Sequence, residues 1–169
     1  GIDAACIGNH EFDHGWDNML IQIEKANFPI LNGNLFFEGT DQLVWDNPYI
    51  ILERDDLQIG IIGLHGKFAF YDTINFKMTE GIEARDEEEY LRKYIKELKP
   101  KTDIIILAVH QGMPGRQSSI GLTDVERNLY KDILLARNVP GVDIIVTGHA
   151  HQGTEKALVS NGTIIVSTN

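Results

Sequence analysis

Short apolar runs and segments with helical spacing alternate along this chain. Three of the runs are nearly continuous, and they lie at residues 2–7, 103–109 and 142–147. Such runs are typical of strands that are covered on both faces. Apolar residues three and four positions apart predict helices at residues 16–25, 87–98 and 125–136. The last of these begins with a capping-box pattern, Thr123 and Glu126. Strands that alternate with helices predict an α/β fold.

Turn residues separate the remaining apolar segments. Two pairs of segments predict β-hairpins, at residues 49–53 with 57–64 and at residues 157–160 with 163–167. The second pair is joined by Asn161-Gly162, a strong two-residue hairpin signal. Residues 28–31 predict one more strand. Residues 65–84 show no clear period, and we expect a long loop there.

A polar cluster follows each of the three continuous runs. The clusters are Gly8-Asn9-His10-Glu11, His110-Gln111-Gly112 and Gly148-His149-Ala150-His151. If the three strands are parallel members of one sheet, the clusters meet at one edge, where ligands of open α/β sheets bind. Four of the six histidines would then converge. Imidazole is the commonest transition-metal ligand near neutral pH, so the pattern predicts a metal site.

The segment His149-Ala150-His151 contributes two of these imidazoles. In an extended segment alternate side chains leave on the same side, so both rings would face one site. A single histidine at a strand end is more often structural than a ligand, and the inference depends on the three clusters occurring together. His65 and His14 complete no such pattern, and we interpret both as structural.

Composition narrows the choice of partners. The 169 residues contain 15 Lys and Arg against 25 Asp and Glu, a formal charge of −10, which argues against a nucleic-acid polymer or an anionic membrane. No run approaches the ~20 apolar residues of a membrane span. The only cysteine, Cys6, excludes an internal disulfide, and its apolar setting predicts a buried, unreactive thiol.

The order of these motifs resembles that of the calcineurin-like metallophosphoesterases, whose signature is D-x-H, G-D, G-N-H-[ED], H and G-H-x-H. The last three motifs are matched here by residues 8–13, 109–112 and 147–152. Their longer forms are similar to the 5′-nucleotidase branch. The resemblance implies an α/β fold of the α/β/β/α sandwich type, incomplete in this chain. It also implies metal-dependent hydrolysis of phosphate esters, with nucleoside 5′-monophosphates as the leading substrates.

The resemblance also implies metal ligands. Asn9, His110 and His149 would bind one metal ion, and His151 would bind the other. Zn, Mn, Fe and Co all suit such a mixed ligand set.

His10 would assist the leaving oxygen of the substrate, oriented by Asp13, and Asn9 and His10 would both contact the substrate. The pairing of His10 with Asp13 also follows from their spacing, because a carboxylate three residues away on a helical turn can hold the imidazole as a proton donor. Glu11 is expected to support the turn rather than to perform chemistry.

The first two motifs of the family have no match, since the sequence contains no D-x-H and no Gly-Asp pair. We therefore expect residues 1–169 to be a partial catalytic domain, cut at both ends, without the upstream D-x-H and G-D segment and without a C-terminal nucleoside-binding domain. The parent protein would hold two divalent ions. This fragment would hold one or none and be inactive.

Several alternatives stay open. The same fold could act on 2′,3′-cyclic nucleotides, UDP-sugars or sulfur esters, or the chain could be a non-catalytic metal-binding or interaction module that lost half of the site.

Members of this branch are mostly exported, which implies a periplasmic or extracellular parent protein with a small phosphorylated substrate. Sheet edges exposed by truncation would favour oligomerisation. Arg116 could reach a substrate phosphate, although an exposed loop arginine is the commoner case.

Overall fold

Six strands form the main sheet of the protein. The computed structural model describes residues 1–111 and 123–168. The strands in these ranges are β1 (Ala5–Cys6), β2 (Ile30–Leu31), β3 (Leu35–Phe37), β4 (Tyr49–Arg54), β5 (Leu57–His65), β6 (Ile82–Ala84), β7 (Ile104–His110), β8 (Ile144–Gly148), β9 (Leu158–Ser160) and β10 (Thr163–Ser167). The α-helices are α1 (Trp16–Lys25), α2 (Lys67–Thr73), α3 (Glu87–Leu98), α4 (Asp124–Asn128) and α5 (Tyr130–Asn138). The main sheet has the order β4-β5-β7-β8-β10-β9, and β1-β2 and β3-β6 form separate pairs.

The central strands of the main sheet run parallel. β5 pairs with β7, β7 with β8, and β8 with β10. β4 and β9 pair antiparallel with β5 and β10 at the two edges. Because parallel strands end at the same edge, His65 lies in register with His110, and His110 with Gly148.

Helices α3 and α5 contribute to the core of the main sheet. Ile62, Leu107 and Ile145 from three neighbouring strands are fully buried in this core, together with Leu91 and Leu98 of α3. Each fully buried aliphatic side chain of this kind is worth roughly 1.5–3 kcal/mol. This packing fixes the strand ends at which the predicted site lies.

The first polar cluster follows a strand that is not part of the main sheet. β1 pairs in parallel with β2, and both strands pack against β5. The close approach needs Gly63, because a Cβ atom there would lie 2.5 Å from the carbonyl oxygen of Leu31. The expectation that all three cluster-bearing strands share one sheet is therefore wrong for β1. Packing between sheets, rather than strand pairing, brings its cluster to the others.

The mixed α/β class, the first two predicted helices and both hairpins are confirmed. The capping box is present, with the Thr123 hydroxyl accepting from the Glu126 N–H and the Glu126 carboxylate accepting from the Thr123 N–H. The third helix is interrupted at the buried Leu129, where the backbone angles are φ −104° and ψ 19°, so that it forms α4 and α5.

The prediction of a long loop at residues 65–84 is wrong. The segment contains α2, a short 3-10 turn at Phe76–Met78 and β6. β6 is stabilised by antiparallel pairing with β3, about forty-five residues away in sequence, which local periodicity cannot reveal. The strands predicted at residues 2–7 and 28–31 form only as the two-residue β1 and β2. The helices of the described ranges are all too short or too polar to cross a bilayer.

Candidate metal centre

Three side chains from distant parts of the sequence meet at the carboxyl edge of the main sheet. Oδ1 of Asn9 lies 2.8 Å from Nε2 of His110 and 3.3 Å from Nδ1 of His149. The two imidazole nitrogens are 3.1 Å apart. We call Asn9, His110 and His149 the donor triad. The structure thus brings together three of the four side chains that the sequence suggested as metal ligands.

Each member of the donor triad sits where a strand ends. His110 is the last residue of β7, and His149 follows the last residue of β8. Asn9 precedes the 3-10 turn His10–Phe12. Gly8 makes the meeting possible, because a Cβ atom at that position would lie 2.7 Å from Cε1 of His110.

The turn that carries Asn9 is held by the Glu11 side chain. Its Oε2 accepts a hydrogen bond of 2.6 Å from the backbone N–H of Gly8. This contact agrees with the supporting role that the sequence suggested for Glu11. Cys6, just upstream, is partly buried, and burial raises the pKa of its thiol to about 12, as expected for an unreactive cysteine.

The two imidazoles of the donor triad are neutral at pH 7. Burial, together with smaller effects from the neighbouring His65, His149, His10 and His151, lowers the pKa of His110 to about 3. Burial also lowers the pKa of His149, with smaller effects from His151 and His10. A neutral imidazole keeps a lone pair that can bind a metal ion.

The donor triad fits one divalent transition metal. Nitrogen and oxygen ligands bound at about 2.0–2.2 Å lie roughly 3 Å from each other, and the triad atoms are 2.8–3.3 Å apart. The two imidazoles and the amide oxygen are donors that Zn, Mn, Fe or Co accept. Within residues 1–111 and 123–168, no three His, Cys, Asp or Glu side chains form a group that could hold a metal by themselves. The donor triad by itself would therefore complete only part of one coordination sphere.

His151, the fourth suggested ligand, lies outside the donor triad and is exposed. The backbone angles φ of His149 and His151 are 84° and 51°, both in the left-handed region. The segment is therefore not extended, and the premise of the alternation argument is wrong, although His151 is close enough to lower the pKa of both His110 and His149. Left-handed conformations of residues other than glycine cost on the order of 1–3 kcal/mol each and cluster at functional sites.

His10 and Asp13 form the pair that their spacing predicted. Nδ1 of His10 lies 3.0 Å from Oδ2 of Asp13, and the two side chains are 73% and 56% exposed. His10 is close enough to the donor triad to lower the pKa of His110 and His149. An accessible imidazole held by a carboxylate beside a metal site is suited to proton transfer.

His65 lies beside the donor triad, which the sequence interpretation did not anticipate. It is fully buried, and its ring centroid is 5.5 Å from that of His110. Its Nδ1 lies 3.1 Å from the carbonyl oxygen of Gly66, and burial lowers its pKa to about 4. The sequence did contain a signal for this placement, because His65 ends an apolar run as His110 does. His14 is exposed. Structural roles for both histidines stay predictions.

Gln111 and Asp132 form a buried contact behind the donor triad that sequence analysis also missed. Nε2 of Gln111 donates a hydrogen bond of 2.9 Å to Oδ1 of Asp132. The available signal was an acidic residue beside Ile133 and three positions after Leu129, on the apolar side of the predicted helix. Gly112 and Arg116 lie outside the described residues.

Comparison with known proteins gives a family match. The family described as calcineurin-like phosphoesterase matches residues 2–153. A 5′-nucleotidase of Vibrio cholerae is 35% identical over 159 residues, which is 90% of this chain and 27% of that protein. A 2′,3′-cyclic-nucleotide 2′-phosphodiesterase/3′-nucleotidase of Haemophilus influenzae is 28% identical over 161 residues, covering 89% of this chain and 23% of that protein.

A solved structure shows the same architecture. The crystal structure of a putative 5′-nucleotidase from Staphylococcus aureus superposes with a TM-score of 0.78 and 25% identity, covering 99% of this chain and 32% of that one. The present chain therefore spans about a quarter to a third of the length of these proteins.

Proposed function

The chain belongs to the calcineurin-like phosphoesterase family, and from this premise we propose that it is part of an enzyme that hydrolyses phosphate esters with divalent metal ions. The observation that carries the proposal is the convergence of Asn9, His110 and His149 beside the His10–Asp13 pair. The donor triad would hold one metal ion, and His151 would contribute to a second. In the family signature the D-x-H and G-D motifs would supply further ligands to the second ion, and residues 1–169 contain neither motif.

Bound divalent ions supply the positive charge that holds a phosphoryl group and the acidity that activates a water molecule. The residues of this chain position the phosphoryl group and donate the proton. Asn9 and the two imidazoles fix the position of the phosphoryl group relative to the turn that carries His10. His10 donates a proton to the leaving oxygen through its exposed ring, and the Asp13 carboxylate keeps that ring oriented. The Glu11 carboxylate holds the turn so that these groups stay in place.

We propose nucleoside 5′-monophosphates as the substrates. The relative from Vibrio cholerae carries the name 5′-nucleotidase, and its identity to this chain exceeds that of the relative named for 2′,3′-cyclic nucleotides. The latter name makes a cyclic-nucleotide phosphodiesterase the second candidate. The resemblance to a mostly exported branch supports a periplasmic or extracellular location.

The test is hydrolysis by the full-length protein loaded with Mn²⁺. We expect phosphate release from a nucleoside 5′-monophosphate, loss of activity with a chelator, and a decrease in kcat of at least about 100-fold when His10 is replaced by alanine. Faster turnover of a 2′,3′-cyclic nucleotide would favour the second candidate. An absence of metal-dependent hydrolysis of both compounds would contradict the proposed function.

A further inference from the structure

A buried carboxylate lies behind the donor triad. Asp132 of α5 is 0% exposed, and its Oδ1 accepts the hydrogen bond from Nε2 of Gln111. Its Oδ2 has no hydrogen-bond partner among the described residues. Gln111 is itself 3% exposed and directly follows His110. The carboxylate is thus hydrogen-bonded to the residue that directly follows His110, a member of the donor triad.

The same carboxylate also reaches the neighbouring strand. Thr147 of β8 is 4% exposed and lies close enough to Asp132 to lower the pKa of its carboxyl group. Thr147 lies two residues before His149 and is paired with Val109, which precedes His110. Asp132 therefore hydrogen-bonds to the residue that follows β7 and lies beside the end of β8, and these two strands lead to the imidazoles of the donor triad.

Stability alone does not explain Asp132 at this position, because its buried carboxylate destabilises the fold. Its helix packs the apolar Ile133, Leu135 and Ala136 into the core. A carboxylate with one unpaired oxygen in such surroundings is costly, whereas an apolar side chain of similar volume would pack there at little cost. What the carboxylate adds is a fixed polar link between α5 and the residue that follows β7, beside the end of β8.

We propose that Asp132 is a positioning residue for the donor triad. Through its hydrogen bond to Gln111 it holds the end of β7 beside the end of β8, so that Nε2 of His110 and Nδ1 of His149 stay at the 3.1 Å spacing seen in the structure. Asp132 does not touch the metal or the substrate. As far as it concerns metal binding, this inference rests on the proposed function.

The experiment compares variants of the full-length protein that are matched in shape. Asp132→Leu removes the acceptor, whereas Asp132→Asn keeps an oxygen for Gln111. The control is Thr163→Val, which removes an equally buried hydrogen bond, from Oγ1 of Thr163 to the carbonyl oxygen of Val142, at the opposite end of the sheet. Calorimetric titration with Mn²⁺ alone measures Kd, and thermal unfolding of the metal-free protein measures stability.

We expect Asp132→Leu to raise the Kd for Mn²⁺ about tenfold, as for other residues that orient ligands. Asp132→Asn is expected to stay within about twofold of the wild type, because its amide oxygen still accepts from Gln111. Thr163→Val is expected to lower the melting temperature and leave Kd unchanged. If the wild type binds Mn²⁺ and Asp132→Leu binds it equally well, the positioning role is overturned while the proposed function stands.

A second measurement is independent of the metal. In the metal-free protein, Asp132→Leu is expected to shift the side-chain nitrogen resonances of His110 and His149, and Thr163→Val is not. Unchanged resonances would overturn the positioning role, whether or not the wild type binds Mn²⁺. If Asp132→Leu does not fold, Gln111→Met removes the same hydrogen bond from its donor side, with the same expected results.

Discussion

Nε2 of His110 lies 2.8 Å from Oδ1 of Asn9, although 101 positions separate the two residues in the sequence. His110 belongs to the main sheet, and Asn9 follows a strand of the separate β1-β2 pair. The contact therefore joins two layers of the fold. The metal binding proposed at this point would therefore depend on how the layers pack, as well as on the ligands themselves.

Replacing His110 by alanine tests the metal-binding role of the donor triad. Removal of one of three ligands is expected to raise the Kd for Mn²⁺ by at least about tenfold, because the loss of a residue that only orients a ligand already costs that much. The matched control is His14→Ala, since His14 is an exposed imidazole outside the triad. Calorimetry on both variants makes the comparison. An equal loss of Mn²⁺ affinity in His110→Ala and His14→Ala would show that His110 is not a metal ligand.

Gly8→Ala tests whether the close approach at the first turn matters for the site. The added Cβ would lie 2.7 Å from Cε1 of His110, so the imidazole must move from its place in the donor triad. We expect a loss of Mn²⁺ affinity together with a destabilisation of about 1–3 kcal/mol from overpacking.

Gly60→Ala serves as the control for this substitution. Its Cβ would meet Leu98 and Thr102 at 3.1 Å, near the beginning of β5. It is expected to affect stability without changing Mn²⁺ affinity. If Gly60→Ala weakened Mn²⁺ binding as much as Gly8→Ala, local crowding of His110 would not be the cause.

Asp13→Asn tests the proton-transfer role of the pair. Without the carboxylate the His10 ring loses its orienting partner at 3.0 Å, and kcat is expected to fall about 100-fold with little change in KM, because the effect lies in the transition state. Steady-state kinetics of the full-length protein provide the measurement. Glu24→Gln, at an exposed position of α1, is the control with the same change of charge. A change in KM alone would assign Asp13 to substrate binding instead.

Asp132→Asn tests the cost of the buried carboxylate through pH. Burial raises the pKa of Asp132 from an ordinary 3.8 to about 6, and the side chains that it faces, Gln111 and Thr147, are both neutral. The folded state therefore binds the proton more tightly than the unfolded state does. The stability that this proton contributes is complete below about pH 4 and is lost as the pH rises through 6.

At pH 7, Asp132→Asn is thus expected to be more stable than the wild type by up to about 3 kcal/mol. The difference should shrink as the pH falls to 4, and histidine titrations common to both proteins cancel in it. Urea unfolding at the two pH values measures the difference. A stability difference that did not change with pH would show that the Asp132 carboxylate is not destabilised in the fold.

The sequence predicted the helices and strands whose formation depends on the spacing of apolar residues within the segment itself. Residues 16–25 and 87–98 form helices because their apolar side chains recur at helical spacing. The strand end at His110 was visible because a continuous apolar run stops there. In contrast, β3 and β6 pair with each other across a long stretch of sequence, and their short segments carry no local signal.

The candidate site shows the same division. The clusters that contain Asn9, His110 and His149 stood out in the sequence because each follows an apolar run. The left-handed backbone at His149 and His151 follows from how the chain leaves β8, and residue alternation could not indicate it. The contact between Gln111 and Asp132 depends on how α5 packs on the sheet.

Anomalous diffraction can locate the metal ion that we propose Asn9, His110 and His149 to bind. Crystals of the full-length protein grown with Mn²⁺ would be measured at the manganese absorption edge. We predict an anomalous peak within bonding distance of Oδ1 of Asn9, Nε2 of His110 and Nδ1 of His149. Bound manganese at another place, with no peak at these three atoms, would contradict the account.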